Sequence, residues 1–431
     1  MSVSNKYCNN FFIEDFDSYE KKEYAAHYDL VAETVPGGYI LPFIPSEPNS
    51  VKGYGGVLRS DLSYVERSAL TIEAIMEKGY AIEKTPETFM DESVVYLGYF
   101  LPQWGHFLVD FLPRLWYLLE HDAEQKLVYV SSGAELSGNY LKVLQLFGID
   151  RNRLYRQDSI QQYREIIVPD LSMSRPYYYT ESYREIIYRI VSNVGERTCF
   201  DKIYWTRTKF SKAQETEIGE KDIEQFFKQN GYTIISPEKC SVEDQIYYWS
   251  RCKNHACLSG SIPHNIVWAG YMLQSEEQSS NLVIVNKTHR INLIQILLND
   301  FSHVNATFID CNYSLFPVSP GSGPFWVGIN DNLRKYAHDH SMTIPRKKLM
   351  EKVITRKRYI RYSLMYARMV RNPQLDLDGR IEGSSRPFKE NKTIQNTYFM
   401  YRVQLGDFPT YFSCVDLLRR AVKKVYRKLK P

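Results

Sequence analysis

The sequence predicts an α/β protein made of two consecutive doubly wound units followed by a basic helical tail. Three observations predict it. Short β-branched apolar runs alternate with amphipathic helical segments over residues 93–194, the alternation restarts after Gly195, and from residue 346 onward the composition turns strongly basic. Strand–helix alternation is the signature of a parallel sheet covered by helices. A chain of 431 residues also exceeds what one core usually carries, which fits two units.

Residues 1–60 contain Pro36, Gly37, Gly38, Pro42, Pro45 and Pro48 and read as an irregular N-terminal segment. The first unit, 61–195, contains a short β-branched run ending at Gly98 and a continuous apolar strand over 126–131, the form a buried parallel strand takes. A helix over 139–147 stops at Gly148, a residue suited to the left-handed position after a helix. A strand over 165–169 closes at Pro169, and a helix over 183–194 runs to Gly195.

The second unit, 196–330, repeats the scheme. Strands are expected at 202–207, 232–235, 255–260 and 281–285, with helices at 220–229 and 241–250, the latter capped by Ser241. Within the tail, 331–431, residues 415–429 place Leu418, Val422, Val425 and Leu429 on one helical face among Arg419, Arg420, Lys423, Lys424, Arg427 and Lys428.

The net charge of +4 conceals an asymmetry. Residues 346–431 hold 22 Lys/Arg against 7 Asp/Glu, a balance of +15, while the rest of the chain balances at −11. Such a division points to an anionic partner: a membrane surface, a nucleic acid or another protein. Nucleic acid is disfavoured, since no recognised binding motif is present and the acidic body would repel a duplex. The N-terminus lacks a charged and then apolar leader and no long apolar run occurs, so a cytoplasmic protein is expected, peripheral at most at the inner face of the membrane. The seven cysteines are scattered and read as reduced thiols. Cys252, His255 and Cys257 do not assemble four zinc ligands, and Asp376, Leu377 and Asp378 read as a turn, so neither metal nor cofactor is expected.

Residues 104–117 read Trp-Gly-His-Phe-Leu-Val-Asp-Phe-Leu-Pro-Arg-Leu-Trp-Tyr. At four-residue intervals His106, Asp110 and Arg114 share one stripe of a helix, and an Asp in so apolar a run needs partners. Two further loops follow expected strands, where α/β sheets bind ligands. One carries Arg207 and Lys209, suited to neutralising a diphosphate. The other, 258–265, joins a small Gly-bearing turn to a helix start with Ser261, His264 and Asn265 available to a phosphate, ribose or sugar hydroxyl.

These segments resemble glycosyltransferase family 61. The resemblance rests on WGHFLVDFLPRLW (104–116), KIYWTRTKF (202–210) followed by Glu217, PEKCSVEDQI (237–246) and LSGSIPHNIVWA (258–269), in that order. Many members have His-Gly-Ala-Gly before the Asn, where residues 259–264 read Ser-Gly-Ser-Ile-Pro-His, and an Arg-Arg pair where this chain has Arg207, Thr208 and Lys209.

The resemblance implies a GT-B-like fold, two Rossmann-like domains facing across a cleft, the first holding acceptor and the second a nucleotide-sugar donor. It implies inverting, metal-independent transfer to a glycan or lipid-linked acceptor in bacterial capsular or exopolysaccharide synthesis. Asp110 or His106 would be the base, with Arg114 orienting Asp110 or holding acceptor. Arg207, Lys209, Ser261, His264 and Asn265 would bind donor, and 415–429 would meet an anionic membrane surface. The competing reading is an inactive α/β scaffold of a polysaccharide assembly complex.

Overall fold

The computed structural model describes residues 3–8, 22–48, 50–71, 75–82, 89–121, 124–271, 280–288, 291–313 and 323–345, with positions 354, 357, 358, 361, 362 and 365. The longer strands are β1 Val3–Tyr7, β2 Ala32–Pro36, β3 Tyr39–Pro45, β4 Gly53–Leu58, β5 Phe89–Phe100, β6 Lys126–Ser131, β7 Leu154–Arg156 and β8 Gln161–Pro169, then β9 Lys202–Trp205, β10 Thr233–Ile235, β11 Asn254–Leu258, β12 Asn281–Asn286 and β13 Asn305–Asp310.

The second sheet has the order β1-β13-β12-β11-β9-β10 and is parallel throughout. Counted from β9, the order is 2-1-3-4-5, a doubly wound sheet whose switch point lies between β9 and β11. Its strands are apolar on both sides because both faces are covered. Ile203, Trp205, Cys257, Leu282 and Ile284 meet the helices Val242–Arg251 and Leu293–Phe301 and the turns of Pro263–Tyr271. Tyr204, Ala256, Leu258, Val283 and Val285 meet Glu220–Gln229 and Asp331–Asp339 on the other face. Ser241 caps Val242–Arg251 by accepting the Asp244 N–H at 3.0 Å.

The first sheet is mixed, in the order β4-β3-β8-β5-β6-β7 with β2 also on β8. Strands β8, β5, β6 and β7 are parallel, and β2, β3 and β4 join antiparallel. Its helices Gly138–Phe147 and Glu181–Ser192 and the 107–116 segment pack into the same apolar cluster as the helices below the second sheet. The two sheets therefore share one core through a layer of helices.

Three expectations are corrected. Residues 1–60 are not irregular where they are described: they supply β1 to β4. Pro42 misled because proline cannot donate to a ladder, yet β3 shifts register against β4 between Leu41 and Ile44 and pairs with β8 only at Tyr39 and Ile40, so no N–H is needed there. The start of the expected tail, Asp331–Asp339, is a body helix: Leu333, Tyr336 and Ala337 are buried on the second sheet. The cysteines are not all thiols, since Cys199 and Cys252 form a disulfide, leaving Cys8, Cys240, Cys257 and Cys311 free among those described. A separation of 53 residues hid that pairing from spacing alone.

The bulk of the basic segment, including 415–429 and the Asp376–Asp378 turn, lies outside the described residues. Among those described, no helix is long and apolar enough to cross a membrane.

Candidate active site

The segment after β5 is not one straight helix. It runs as a short α turn at Trp104–His106, a widened π turn at Phe107–Phe111, a tight 3-10 turn at Leu112–Arg114 and a last α segment at Trp116–Glu120. Pro113 has no N–H to give to Val109, so the regular bonding must be interrupted at this point. The widened turn keeps His106 against Asp110 but rotates Arg114 off the stripe.

His106 Nδ1 lies 2.7 Å from Asp110 Oδ2. Asp110 Oδ1 accepts from Arg175 Nε at 2.8 Å, and the Asp110 and Arg175 side chains are each 2% exposed. A carboxylate that already accepts from a guanidinium accepts here too, so the hydrogen of this bond lies on His106 Nδ1, the tautomer that in the neutral ring puts the lone pair on Nε2. Arg175 NH2 also approaches Nδ1 at 3.2 Å, but it can only donate and cannot bond to a nitrogen that already bears hydrogen. With 21% of its side chain exposed, His106 is the accessible member.

Arg114 belongs elsewhere, which corrects its expected role. It is buried and donates to the carbonyls of Pro169, Arg67 and Ala69, holding the end of β8 to the 66–69 turn. Its place as partner of Asp110 is taken by Arg175, which reasoning on helical spacing missed. A signal was present: Arg175 lies in the loop just beyond the carboxyl end of β8, where site residues of parallel strands collect.

The two second-sheet loops leave the carboxyl ends of β9 and β11, beside the switch point. Arg207 donates its backbone N–H to Glu220 at 2.8 Å and its Nε to Glu217 at 3.1 Å. Glu217 also binds Lys287 Nζ at 2.7 Å, and Lys287 immediately follows β12. That lysine was not foreseen either, although it too stands at a strand end. Burial pushes Glu220 up to about 7, and burial lowers Lys287 from its ordinary range against the attraction of Glu217. Lys209 and Ser261 are exposed.

His264 is buried. Gln295 donates its amide to Pro263 O at 3.1 Å and Asn299 Oδ1 at 2.8 Å, so its oxygen accepts from His264 Nδ1 at 2.7 Å. Desolvation lowers His264 to about 4, which leaves it neutral with Nε2 free to accept. It can take a hydrogen bond from a hydroxyl but cannot act as a cation for phosphate. Asn265 Oδ1 accepts from Trp104 Nε1 at 2.9 Å and Trp268 Nε1 at 3.2 Å, while its amide donates to Ile262 O at 3.0 Å. These three bonds tie the 259–265 loop to Trp104 and to Trp268.

The Trp104–Asn265 bond joins the carboxyl end of one sheet to that of the other. A Cβ at Gly105 would come within 2.9 Å of His264 Cδ2 and 3.6 Å of Ser261 Oγ, so only glycine allows this approach. The His106–Asp110–Arg175 cluster thus lies beside the 259–265 loop. Among the described residues no group of three or more His, Cys, Asp or Glu is placed to hold a metal ion.

No curated protein matches the chain. Residues 104–275 match the family model described as Glycosyltransferase 61, a span that opens at Trp104 and contains His106, Asp110, Arg175, Arg207 and the 259–265 loop. The match identifies residues 104–275, about two fifths of the chain, as a region similar to glycosyltransferase family 61, which supports a sugar-transferring enzyme.

Proposed function

We propose that the enzyme transfers a sugar from a nucleotide-sugar donor to a glycan or lipid-linked acceptor by single displacement, with inversion and without a metal. The unit around the first sheet, β2 to β8, serves the acceptor and the unit around the second, β1 with β9 to β13, the donor, in a GT-B-like arrangement. The observation that carries this reading is the His106–Asp110–Arg175 relay facing the loop that ends at Asn265.

In this mechanism the acceptor hydroxyl gives its proton to His106 Nε2 as its oxygen attacks the anomeric carbon. The Asp110 carboxylate stabilises the imidazolium that forms, and Arg175 holds that carboxylate in place. The bond from the anomeric carbon to the diphosphate breaks, and its electron pair leaves with the phosphate oxygen. Arg207 stabilises that charge, Lys209 and Ser261 border the same loops, and His264 accepts from a donor hydroxyl. Asp110 gives way to His106 as base because both its oxygens are occupied and it is almost wholly buried.

Surface polysaccharide synthesis at the cytoplasmic membrane is the setting proposed, with 415–429 meeting anionic lipid. The Cys199–Cys252 disulfide weighs against a cytoplasmic location, since that compartment keeps thiols reduced. Differential alkylation of protein from its native cells decides the compartment.

A thermal-shift screen of nucleotide sugars tests the reading. Stabilisation by one nucleoside class supports it, followed by proton NMR of the product anomer. Absence of stabilisation by any nucleotide favours the inactive scaffold.

A further inference from the structure

Glu217 stands between two cations. Its side chain is 3% exposed, with Lys287 Nζ 2.7 Å from Oε1 and Arg207 Nε 3.1 Å from Oε2. One carboxylate thereby holds two cationic heads side by side in a place largely closed to water. Of the neighbouring carboxylates, Glu220 accepts from the Arg207 backbone N–H at 2.8 Å and Glu224 from the Thr206 and Thr208 hydroxyls at 2.6 and 2.7 Å, so neither bonds to the Lys287 ammonium or the Arg207 guanidinium.

Both cations border the same space. A Cβ on Gly260 would lie 3.6 Å from Lys287 Nζ and 3.9 Å from Arg207 NH1, so the volume above this residue faces both and holds no side chain of residue 260. Its φ of +136° reserves the position for glycine. Lys287 is held from two further sides: its backbone N–H donates to Ser259 Oγ at 3.1 Å, and the Phe325 ring lies 4.4 Å from Nζ. The ammonium is thereby aimed, not merely present.

We infer that Lys287, which lies beyond the span matched by the family model, is the second cation of the diphosphate site, binding the donor's phosphates together with Arg207 over Gly260. The inference rests on the donor reading above and names the residue that reading lacked. As the bond from the anomeric carbon to the donor diphosphate breaks, the departing phosphate gains negative charge, and Lys287 donates to it alongside Arg207.

Calorimetric titration of inorganic diphosphate into the full chain tests this, using parent protein, Lys287→Met, Arg207→Ala, Glu217→Gln and the Lys287→Met/Glu217→Gln double variant. Glu217 keeps its bond to Arg207 in Lys287→Met, the double variant separates the role of the lysine from that of the carboxylate, and circular dichroism checks that each variant is folded. Lys287→Met should weaken diphosphate binding at least tenfold, and the double variant should bind at least tenfold more weakly than Glu217→Gln. Parent-like binding by folded Lys287→Met and double variants, with binding lost in Arg207→Ala, would leave the donor reading standing and overturn the role of Lys287. A parent that binds neither diphosphate nor any nucleoside diphosphate would overturn both.

Discussion

Arg175 and Asp110 lie 65 residues apart in the chain and meet through a 2.8 Å Nε–Oδ1 bond, each side chain 2% exposed. Breaking such a pair strands a buried charge and typically costs ~3–5 kcal/mol. Arg175→Met should lower the unfolding free energy by about that amount in urea titrations, and adding Asp110→Asn should recover part of it. Equal stability of Arg175→Met and parent would show that the carboxylate does not depend on this arginine.

Arg207 has its backbone and Nε engaged by Glu220 and Glu217, and its NH1 borders the space above Gly260. Loss of one charge-assisted hydrogen bond should weaken nucleoside diphosphate binding by about 1.5–3 kcal/mol in Arg207→Ala. Its circular dichroism should match the parent. Unchanged affinity in a folded variant would remove Arg207 from the donor site.

The helices and parallel strands of the second sheet were readable because both faces are covered and local signals agree: Ser241 caps, and Glu220–Gln229 has the bounds expected of it. The candidate site was readable only in part. His106 and Asp110 meet as their spacing implied, but one proline separates Arg114 from them, and no spacing rule could pair Asp110 with Arg175 across 65 residues. Strand β3 was hidden for a related reason, because the cost of its proline depends on a partner strand that local sequence does not reveal.

Glu220 provides a pH test. Its folded-state value is raised from 4.5 to about 7, so the fold disfavours the ionised form. Stability is unaffected below about pH 4.5 and is lost progressively as pH rises to about 7. Relative to parent, Glu220→Gln should therefore gain stability across that window, reaching up to ~3 kcal/mol above it. Denaturant titrations at pH 5 and pH 8 check this, and a pH-independent difference would contradict the buried carboxyl.

The basic segment can be separated into two parts. Arg358 pairs with Asp222, Arg361 NH2 donates to Gln214 O at 2.6 Å, and Tyr362 is buried 6.0 Å from the Trp326 ring, so these positions are part of the body. Deleting residues 413–431 should abolish sedimentation with anionic liposomes at low salt while leaving nucleotide binding intact, each cation near such a bilayer contributing about 1 kcal/mol. Loss of nucleotide binding on deletion would make that region part of the fold and remove its membrane role.

The central claim is that His106, oriented by Asp110, takes the acceptor proton. The most direct measurement is the single-turnover transfer rate of His106→Ala beside parent, with the nucleotide sugar that stabilises the protein most. Donor affinity should be unchanged and the rate should fall by roughly two orders of magnitude or more, with Asp110→Asn following it. Parent-like transfer by a folded His106→Ala protein would contradict the account and assign the proton to another group.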